Sequence, residues 1–343
     1  MAATATDLET IARALVAEGK GILAADESEG TIKKRFDSIG VESTEEHRRA
    51  YRELLFTTEG VEEFISGVIM FDETIRQSTS DGTPFPQLLE SRGIIPGIKV
   101  DKGAKPLALA EGETVTEGLD GLRERLAEYY ELGARFTKWR AVISIGDGLP
   151  SDYCVWVNAH ALTRFAALSQ EAGLVPIVEP EVLMDGTHSI EESYHVTDRT
   201  LQALYTELFD QRVKREGTLL KTNMVVSGYD APEQADVDTV ADMTIRCLKN
   251  TVPAAVPGVV FLSGGMSDED ATARLNAMNQ RGPHPWELSF SYGRALQAPT
   301  LKAWGGDPNN VEDAQKAFYR RAKFNGAARS GSYAPEWETA DVA

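Results

Sequence analysis

Short apolar runs alternate with longer amphipathic stretches along nearly the whole of this 343-residue chain. The runs lack the polar alternation of a half-exposed strand, which is typical of parallel strands that are covered on both faces. We place eight candidate strands at 21–25, 64–71, 94–100, 134–139, 174–179, 218–222, 258–263 and 287–291. Eight strand–helix repeats without a linker predict an α/β protein with one closed parallel barrel, the (β/α)8 or TIM-barrel fold.

An open doubly wound sheet is the alternative arrangement of the same elements. Such a sheet is expected to have a G-x-G-x-x-G turn after its first strand, and the segment GILAADESEG at 21–30 does not contain one. The sequence therefore favours a single barrel domain over residues 1–324. The last segment, 325–343, is rich in small, polar and proline residues, and we expect it to be a flexible C-terminal tail.

The formal net charge of −18 argues against a nucleic-acid or anionic-membrane partner, although a few basic side chains can still gather in one cleft around an anionic substrate. No apolar run approaches the roughly 18 residues that a membrane span requires. The N-terminal segment has neither the basic leader nor the apolar core of a signal peptide. We therefore expect a cytoplasmic protein without membrane contacts.

The residue types that most often bind transition metals are few and unfavourably spaced. Cys154 and Cys247 form no C-x-x-C pair, and the five histidines show no H-x-H or H-E-x-x-H spacing. We expect both cysteines to be buried as small hydrophobic residues. No metal site is predicted from cysteine or histidine.

Charged and glycine-rich positions follow most of the candidate strands. In a parallel barrel, catalytic groups lie at the carboxyl ends of the strands and in the loops that follow them. A charge beside an apolar strand is costly to bury unless it is paired or lies in a cleft, so the repetition of charged or glycine-rich positions at seven strand ends indicates an active site. These positions are Asp26, Lys99, Lys138 with Arg140, Glu179 with Glu181, Lys221, Ser263 with Gly264 and Gly265, and Arg294.

Lys221 ends the apolar run GTLLK and faces the same way as Leu219, because side chains alternate along a strand. Desolvation in an apolar barrel mouth, and a second cation for which Lys138 is the candidate, are expected to lower the pKa of such a lysine. The neutral amine could then attack a ketone. From the position alone, a structural lysine in a salt bridge is an equal alternative.

Glu179 and Glu181 flank Pro180, so two carboxylates share one strand end. Like charges at this spacing are expected to raise the pKa of one of them, which gives a group that both donates and accepts protons. Together with Asp26, the pair could instead bind a divalent metal. The lysines at neighbouring strand ends disfavour this alternative, because a metal site does not need further cations.

A phosphate site is predicted after the seventh and eighth strands. The segment SGG at 263–265 leads directly into the helix start indicated by Ser267 and Asp270, and Gly293 and Arg294 follow the next strand. Small residues let backbone N–H groups approach an anion, and a helix N-terminus adds its dipole. Barrel enzymes often hold phosphate in these two loops.

Longer stretches of the sequence resemble class I fructose-1,6-bisphosphate aldolases. The motifs occur in the family's order from about Gly21 to about Ala328: GILAADES, SIGVESTEEHRRAYRELLFTT, IKVDKG, TKWRAVI, VPIVEPE, GTLLK, VFLSGG, FSYGRALQ and LKAWGG. The resemblance implies a (β/α)8 barrel that reversibly cleaves fructose 1,6-bisphosphate to dihydroxyacetone phosphate and glyceraldehyde 3-phosphate, a step of glycolysis and gluconeogenesis. It also implies a homotetramer that uses no metal and no other cofactor.

The resemblance gives each matching residue a role. Lys221 forms an imine with the C2 ketone, Glu179 is the acid/base for that step, and Glu181 supports it. Asp26 acts on the C4 hydroxyl during cleavage, and Lys138 assists Lys221. The implied C1-phosphate ligands are Ser263, Gly264, Gly293 and Arg294, and the implied C6-phosphate ligands are Ser28, Thr31 and Lys99, with Arg140 in the same cleft.

Some positions depart from the family pattern. Thr222 follows the lysine where proline is usual, Met266 replaces a usual glutamine, and Ser144 stands where many members have lysine. The animal enzymes end in a tyrosine that assists proton exchange on the enamine, whereas the last tyrosine here is Tyr333. Either Tyr333 acts by another route or no tyrosine takes part, and we favour the second.

Three other functions fit parts of the sequence. A related Schiff-base aldolase or transaldolase could prefer another ketose phosphate, such as sedoheptulose 1,7-bisphosphate. A metal-assisted barrel enzyme could use the carboxylates alone, and a catalytically silent scaffold could have kept only the barrel. The presence of Lys221, Glu179 and Asp26 together argues against the scaffold.

Overall fold

The computed structural model describes residues 5–339. Its strands are β1 (Gly21–Ala25), β2 (Ile65–Met70), β3 (Ile95–Lys99), β4 (Ala104–Pro106), β5 (Thr114–Thr116), β6 (Phe136–Ile143), β7 (Val175–Val182), β8 (Leu219–Thr222), β9 (Gly258–Phe261) and β10 (Glu287–Tyr292). Within residues 5–339, eight of these strands close into a parallel barrel in which each lies beside the next in chain order, and β4 and β5 form an antiparallel hairpin inserted between β3 and β6. The predicted (β/α)8 barrel is confirmed.

Helices cover the outside of the barrel, except that the first helix packs against the amino-terminal end of its interior. They are α1 (Ala5–Leu15), α2 (Glu29–Asp37), α3 (Glu45–Phe56), α4 (Asp72–Ile75), α5 (Phe85–Ser91), α6 (Leu122–Glu131), α7 (Asp152–Glu171), α8 (Ile190–Asp210), α9 (Val237–Thr251), α10 (Asp268–Gln280), α11 (Arg294–Trp304) and α12 (Val311–Arg329). Short 3-10 turns lie at Val61–Glu63, Arg215–Gly217, Pro308–Asn310 and Pro335–Glu338. Among the described residues, none of the helices is both long enough and apolar enough to cross a membrane.

The barrel interior is filled at its amino-terminal end by apolar side chains and by α1. Leu8 and Leu15 of α1 pack in one cluster with strand residues that include Phe136 and Leu219. A Cβ atom on Gly97 would overlap the Phe136 ring, so the ring can fill this space only because a glycine lies opposite it. The charged side chains Lys99, Lys138, Glu179 and Lys221 lie toward the other, carboxyl end, where they line a cavity.

Strands β6 and β7 extend beyond the ends predicted at residues 139 and 179. Their parallel pairing continues to Ile143 opposite Val182. The extension includes Arg140 and Glu181, so these charged side chains are held by a regular strand and not by a loop. Both strands were predicted to end early because the charged residues were taken to belong to loops. The parallel backbone pairing of β6 with β7 continues through these residues.

The predicted boundary between the barrel domain, 1–324, and a flexible tail, 325–343, falls inside helix α12 and is therefore corrected. The helix continues from 311 to Arg329, and Asn325 is fully buried within it. A Cβ atom on Gly326 would lie 2.7 Å from the Phe64 ring and 2.8 Å from the Gly19 carbonyl oxygen. The small residues after 324 therefore permit close helix packing and do not mark a loop. Residues 340–343 of the predicted tail lie outside the described residues.

Candidate active site

The carboxyl ends of the barrel strands surround a cavity of about 590 Å³. Every residue to which the resemblance gave a catalytic or binding role lines this cavity, whereas Gly265 of the predicted phosphate loop does not. These residues are Asp26, Ser28, Thr31, Lys99, Lys138, Arg140, Glu179, Glu181, Lys221, Ser263, Gly264, Gly293 and Arg294. The structure therefore brings the predicted set together in one place.

Glu179 lies between two lysines. Its Oε1 is 3.1 Å from Lys221 Nζ and its Oε2 is 2.8 Å from Lys138 Nζ, and all three side chains are buried. Strand β7 lies between β6 and β8, with Lys138 and Leu219 both opposite Ile177. Lys221 and Glu179 each lie two residues further along their strands, so both side chains face the barrel interior at the same height.

Lys138 also contacts Asp26, which directly follows β1. The distance from Lys138 Nζ to Asp26 Oδ2 is 2.8 Å, although β2 and β3 separate the strands that hold the two residues. One ammonium group thus joins Asp26 to Glu179 across the barrel mouth. We call Lys221, Glu179, Lys138 and Asp26 the central charge chain.

Electrostatics fix the protonation of three members of this chain. Burial acts to raise the pKa of Asp26, but the charges of Lys138 and Lys221 lower it below its ordinary value. For Glu179 as well, burial acts to raise the pKa, but the charges of the same two lysines lower it below its ordinary value. Burial acts to lower the pKa of Lys138, whereas Asp26 and Glu179 raise it above its ordinary value. At neutral pH the two carboxylates are therefore ionised proton acceptors, and Lys138 is a fixed cation.

The expected rise of one pKa within the Glu179–Glu181 pair was wrong for Glu179, whose pKa is lowered. Each carboxylate of the pair has its own cation. Glu179 contacts the two lysines, and Glu181 Oε2 contacts Arg140 Nε. Direct contact with opposite charges outweighs the repulsion between the two carboxylates.

Asp101 is a site residue that the sequence analysis missed. It follows β3, lines the cavity, and its Oδ1 lies 3.0 Å from Lys99 Nζ. The same carboxylate accepts hydrogen bonds from the backbone N–H groups of Gly103 and Arg140, at 3.1 and 3.2 Å. Asp101 thus fixes the position of Lys99 at the rim. The available signal was the spacing of two residues from Lys99 in IKVDKG, which places both on one face.

Glu27 was also missed, although it follows Asp26 directly in the sequence. Its carboxylate contacts the Arg35 guanidinium, lies 2.7 Å from Arg52 Nη2 and accepts a hydrogen bond of 3.1 Å from Gln297 Nε2. Arg35 lines the cavity, as do two further residues of α2 and its C-terminus, Lys34 and Ser38. The buried Glu27 therefore holds a basic side chain at the edge of the cavity.

The loop after β9 has the features of an anion site. Gly264 and Gly265 have φ values of +54° and +105°, a region that favours glycine, and Ser267 Oγ accepts a hydrogen bond from the Asp270 N–H at the start of α10. The predicted helix start is confirmed. A Cβ on Gly265 would lie 2.9 Å from Arg294 Nη2, so the guanidinium lies directly against this loop.

Ser28 and Thr31 lie at the start of α2, in the segment that follows β1, the neighbour of β10 in the closed barrel. Their hydroxyl oxygens are 3.1 Å apart and both line the cavity.

Ser291 at the end of β10 was missed by the sequence analysis. Its Oγ is buried, lines the cavity, and has no hydrogen-bond partner among the described residues. The hydroxyl is therefore available to a bound ligand.

Tyr333 does not line the cavity in the described part of the chain. Its ring packs against Phe324 and Trp337, and its hydroxyl donates a hydrogen bond of 2.9 Å to Glu338 Oε1. The hydroxyl is therefore used within the C-terminal packing and not at the barrel mouth.

Cys154 and Cys247 are buried and free, as predicted. Within residues 5–339, no group of three or more His, Cys, Asp or Glu side chains is arranged to hold a metal ion. The carboxylates of Asp26, Glu179 and Glu181 each contact a lysine or an arginine.

The fold and the site together define a barrel enzyme in which a buried amine and carboxylate centre shares one cavity with polar groups suited to anions. Comparison with known proteins is more specific. A sequence model described as fructose-bisphosphate aldolase class-I, a glycolytic family, matches residues 7–343. The chain belongs to the class I fructose-bisphosphate aldolase family, whose members are carbon–carbon lyases.

Related sequences and a solved structure agree with this family assignment. The probable fructose-bisphosphate aldolase class 1 of Xylella fastidiosa is 61% identical over 327 residues, which cover 95% of this chain and 98% of that protein. Cytosolic fructose-bisphosphate aldolase 4 of Arabidopsis thaliana is 58% identical over 316 residues, covering 92% and 80%. The fructose-bisphosphate aldolase of Plasmodium falciparum, solved with TRAP and a small-molecule inhibitor, superimposes with a TM-score of 0.95 at 49% identity, covering 97% and 98%.

Proposed function

We propose that Lys221 forms the Schiff base through which this aldolase reversibly cleaves fructose 1,6-bisphosphate to dihydroxyacetone phosphate and glyceraldehyde 3-phosphate. The observation that supports this assignment is the central charge chain. Lys221 has the ion pair expected of a structural lysine, but its partner Glu179 is itself a cavity residue in contact with the fixed cation Lys138. A structural ion pair would not require this arrangement at the open end of the barrel.

In the forward reaction, Lys221 first transfers a proton to Glu179, and the neutral amine attacks the C2 ketone. The 3.1 Å separation of Lys221 Nζ from Glu179 Oε1 permits this transfer without an intervening group. The attacking nitrogen next loses a proton to the C2 oxygen, which becomes the hydroxyl of a carbinolamine. Glu179 then returns a proton to the departing C2 hydroxyl, which leaves as water and produces a protonated imine. Lys138 stabilises the negative charge on Glu179. Glu181, which lies two residues further along β7, supports this proton exchange between Lys221 and Glu179.

Carbon–carbon cleavage requires a base for the C4 hydroxyl, and we assign this role to ionised Asp26. As Asp26 accepts the proton, the C3–C4 bond breaks and its electron pair enters the iminium, which forms an enamine and releases glyceraldehyde 3-phosphate. Protonation at C3 and hydrolysis of the imine then release dihydroxyacetone phosphate. The iminium is the electron sink, so we propose that neither a metal nor another cofactor takes part.

Two groups of residues are proposed to hold the phosphates. The C1 phosphate lies against the loops after β9 and β10, and the C6 phosphate lies near the start of α2 and the end of β3. The proposed C1 ligands are Ser263, Gly264, Gly293 and Arg294, and the proposed C6 ligands are Ser28, Thr31 and Lys99, with Arg140 lining the same cleft. Holding the sugar at both ends would fix the C3–C4 bond near the central charge chain, which is the positional part of catalysis.

We also propose that the protein is a cytoplasmic homotetramer without nucleic-acid or membrane partners. The net charge of −18 supports the absence of polyanionic partners. Relatives in Arabidopsis thaliana and Cicer arietinum are named as cytosolic or cytoplasmic enzymes. Trp156 and Phe209 are 57% and 66% exposed, which is compatible with burial between subunits. Light scattering at several protein concentrations tests the tetramer, and a monomer would contradict it.

Borohydride reduction in the presence of dihydroxyacetone phosphate tests the assignment of the lysine. We expect one covalent adduct per chain, located on Lys221 by peptide mass spectrometry, and full activity after treatment with EDTA. Lys221→Met is expected to form no adduct and to lose activity, while Lys302→Met, an exposed lysine of α11, forms the adduct normally. Full activity with no adduct on Lys221, or loss of activity with EDTA, would contradict the mechanism.

A further inference from the structure

Tyr229 lies on the loop after β8, which is tied to the loop after β7 by backbone hydrogen bonds. The Tyr229 N–H donates to the Met184 carbonyl at 2.9 Å, and its two neighbours donate to His188 and Gly186 at 2.8 and 2.9 Å. A Cβ on Gly228 would overlap the Gly186 carbonyl, so the two backbones approach more closely than another residue would allow. The backbone of Tyr229 is therefore fixed relative to the barrel.

The side chain of Tyr229 extends from this fixed point to the glycine loop after β9. Its hydroxyl donates a hydrogen bond of 3.1 Å to the Gly264 carbonyl oxygen and lies 3.5 Å from Met184 Sδ. A Cβ on Gly264 would overlap the terminal methyl group of Met184. The Gly264 peptide is thus held from outside the cavity by a hydrogen bond and by packing.

Two consecutive glycines with positive φ have wide conformational freedom, so a loop built from them needs external contacts to keep one shape. In a trans peptide, the carbonyl of Gly264 and the N–H of Gly265 point to opposite sides. Holding the carbonyl toward Tyr229 keeps its negative end away from a bound phosphate. It also directs the Gly265 N–H away from Tyr229.

We propose that Tyr229 is a positioning residue for the C1 phosphate of the substrate, acting through the Gly264 carbonyl and without contacting the reacting atoms. This inference rests on the proposed function, which places that phosphate against Ser263, Gly264 and Arg294. It assigns a role to a residue of the loop that follows β8. The strand that holds Lys221 thus leads into a loop that shapes the neighbouring phosphate site.

The surroundings of the phenol suit a neutral hydrogen-bond donor. The side chain of Tyr229 is 41% exposed, and the burial of its remaining surface raises its pKa, an effect that the charges of Arg294 and Arg274 only partly offset. The hydroxyl therefore keeps its proton at neutral pH. Arg294 lies against Gly265 and the Arg274 Nη1 lies 2.9 Å from Met266 Sδ, so two guanidinium groups flank the residues that follow the held peptide.

The test compares Tyr229→Phe with Tyr153→Phe, which alters an exposed tyrosine on α7. The concentration of dihydroxyacetone phosphate that gives half-maximal borohydride adduct on Lys221 is measured for each, together with its affinity by calorimetry. For Tyr229→Phe we expect this concentration to rise about two- to tenfold, the effect of one lost hydrogen bond. The maximal adduct and kcat should stay close to those of the unaltered enzyme, and Tyr153→Phe should match it throughout.

Fructose 6-phosphate, which lacks the C1 phosphate, separates positioning from a general structural effect. Its competitive inhibition constant should be the same in Tyr229→Phe and in the unaltered enzyme. An unchanged half-maximal concentration for dihydroxyacetone phosphate, or an equal loss of affinity for both ligands, overturns the positioning role. If the unaltered enzyme binds dihydroxyacetone phosphate by calorimetry but gives no adduct, the assignment of Lys221 fails, whereas weaker binding by Tyr229→Phe still supports the positioning role.

Discussion

The ammonium group of Lys138 lies 2.8 Å from a carboxylate oxygen of Asp26, although β2 and β3 separate the strands that hold them. The same ammonium lies 2.8 Å from Glu179. One cation thus joins the carboxylate that we assign to imine chemistry with the carboxylate that we assign to carbon–carbon cleavage. The ionisation of both depends on it, because the charge of Lys138 lowers the pKa of each carboxylate more than any other neighbouring charge does.

Replacing this cation should affect the pH dependence of catalysis as well as its rate. In Lys138→Met, Asp26 and Glu179 lose an adjacent positive charge, so the pKa of each should rise. We expect kcat/KM at neutral pH to fall by about 10²- to 10³-fold, as for removal of a preorganised charge at a reacting centre. The acid limb of the pH profile of kcat/KM should move to higher pH.

Lys302→Met serves as the control for the removal of one lysine, because Lys302 is exposed on α11. Circular dichroism establishes that both variants are folded. An acid limb at the same pH in Lys138→Met and in the unaltered enzyme would show that Lys138 does not set the ionisation of the catalytic carboxylates.

Ionised Asp26 should also make stability depend on pH. Its pKa is lower in the folded protein than in the unfolded chain, so its contribution is present above the unfolded pKa and is lost as the pH falls toward the folded one. The free energy of unfolding should therefore decrease from about pH 5 to about pH 3, and less steeply in Asp26→Asn. Urea unfolding at several pH values measures this slope. Asp147→Asn, at an exposed loop residue, should retain the slope of the unaltered protein.

Local periodicity predicted part of the site correctly. Leu219 and Lys221 face the same side of β8 because side chains alternate along a strand, and Leu219 indeed packs in the barrel interior. The contact of Lys138 with Asp26 could not be predicted in this way. It depends on the closure of the barrel, which brings together side chains from strands that are not neighbours.

Tertiary packing also decides the features that the sequence analysis missed. Arg52 lies in a charged stretch of α3 that has the composition of a solvent-exposed helix, yet its side chain is only 3% exposed because it contacts Glu27. Gly326 belongs to a segment with the composition of a loop, yet it permits close packing of α12. In both cases the residue type is ambiguous, and only the neighbouring element determines its role.

Replacing Arg52 tests how much the buried ion pair between Arg52 and Glu27 stabilises the fold. Arg52→Met removes one of the partners of the buried Glu27 carboxylate and leaves Arg35 and Gln297. We expect a loss of about 2–4 kcal/mol in the free energy of unfolding, somewhat less than for a buried charge left with no partner. Arg123→Met is the matched control, because Arg123 and Glu171 are 64% and 60% exposed. Its loss should be close to zero, and equal losses in the two variants would contradict the buried role.

The shape of the glycine loop after β9 can be tested at Gly264. Gly264→Ala forces a side chain into a backbone conformation with φ +54° and into the space of the Met184 methyl group. The backbone strain should cost about 1–3 kcal/mol of stability, and the KM for fructose 1,6-bisphosphate should rise because the loop must move. The double variant Gly264→Ala with Met184→Ala removes the overlap but keeps the strain, so it should recover part of the lost affinity. Steady-state kinetics on the two single variants and the double variant measure this coupling, and strictly additive effects would show that Met184 does not shape the loop.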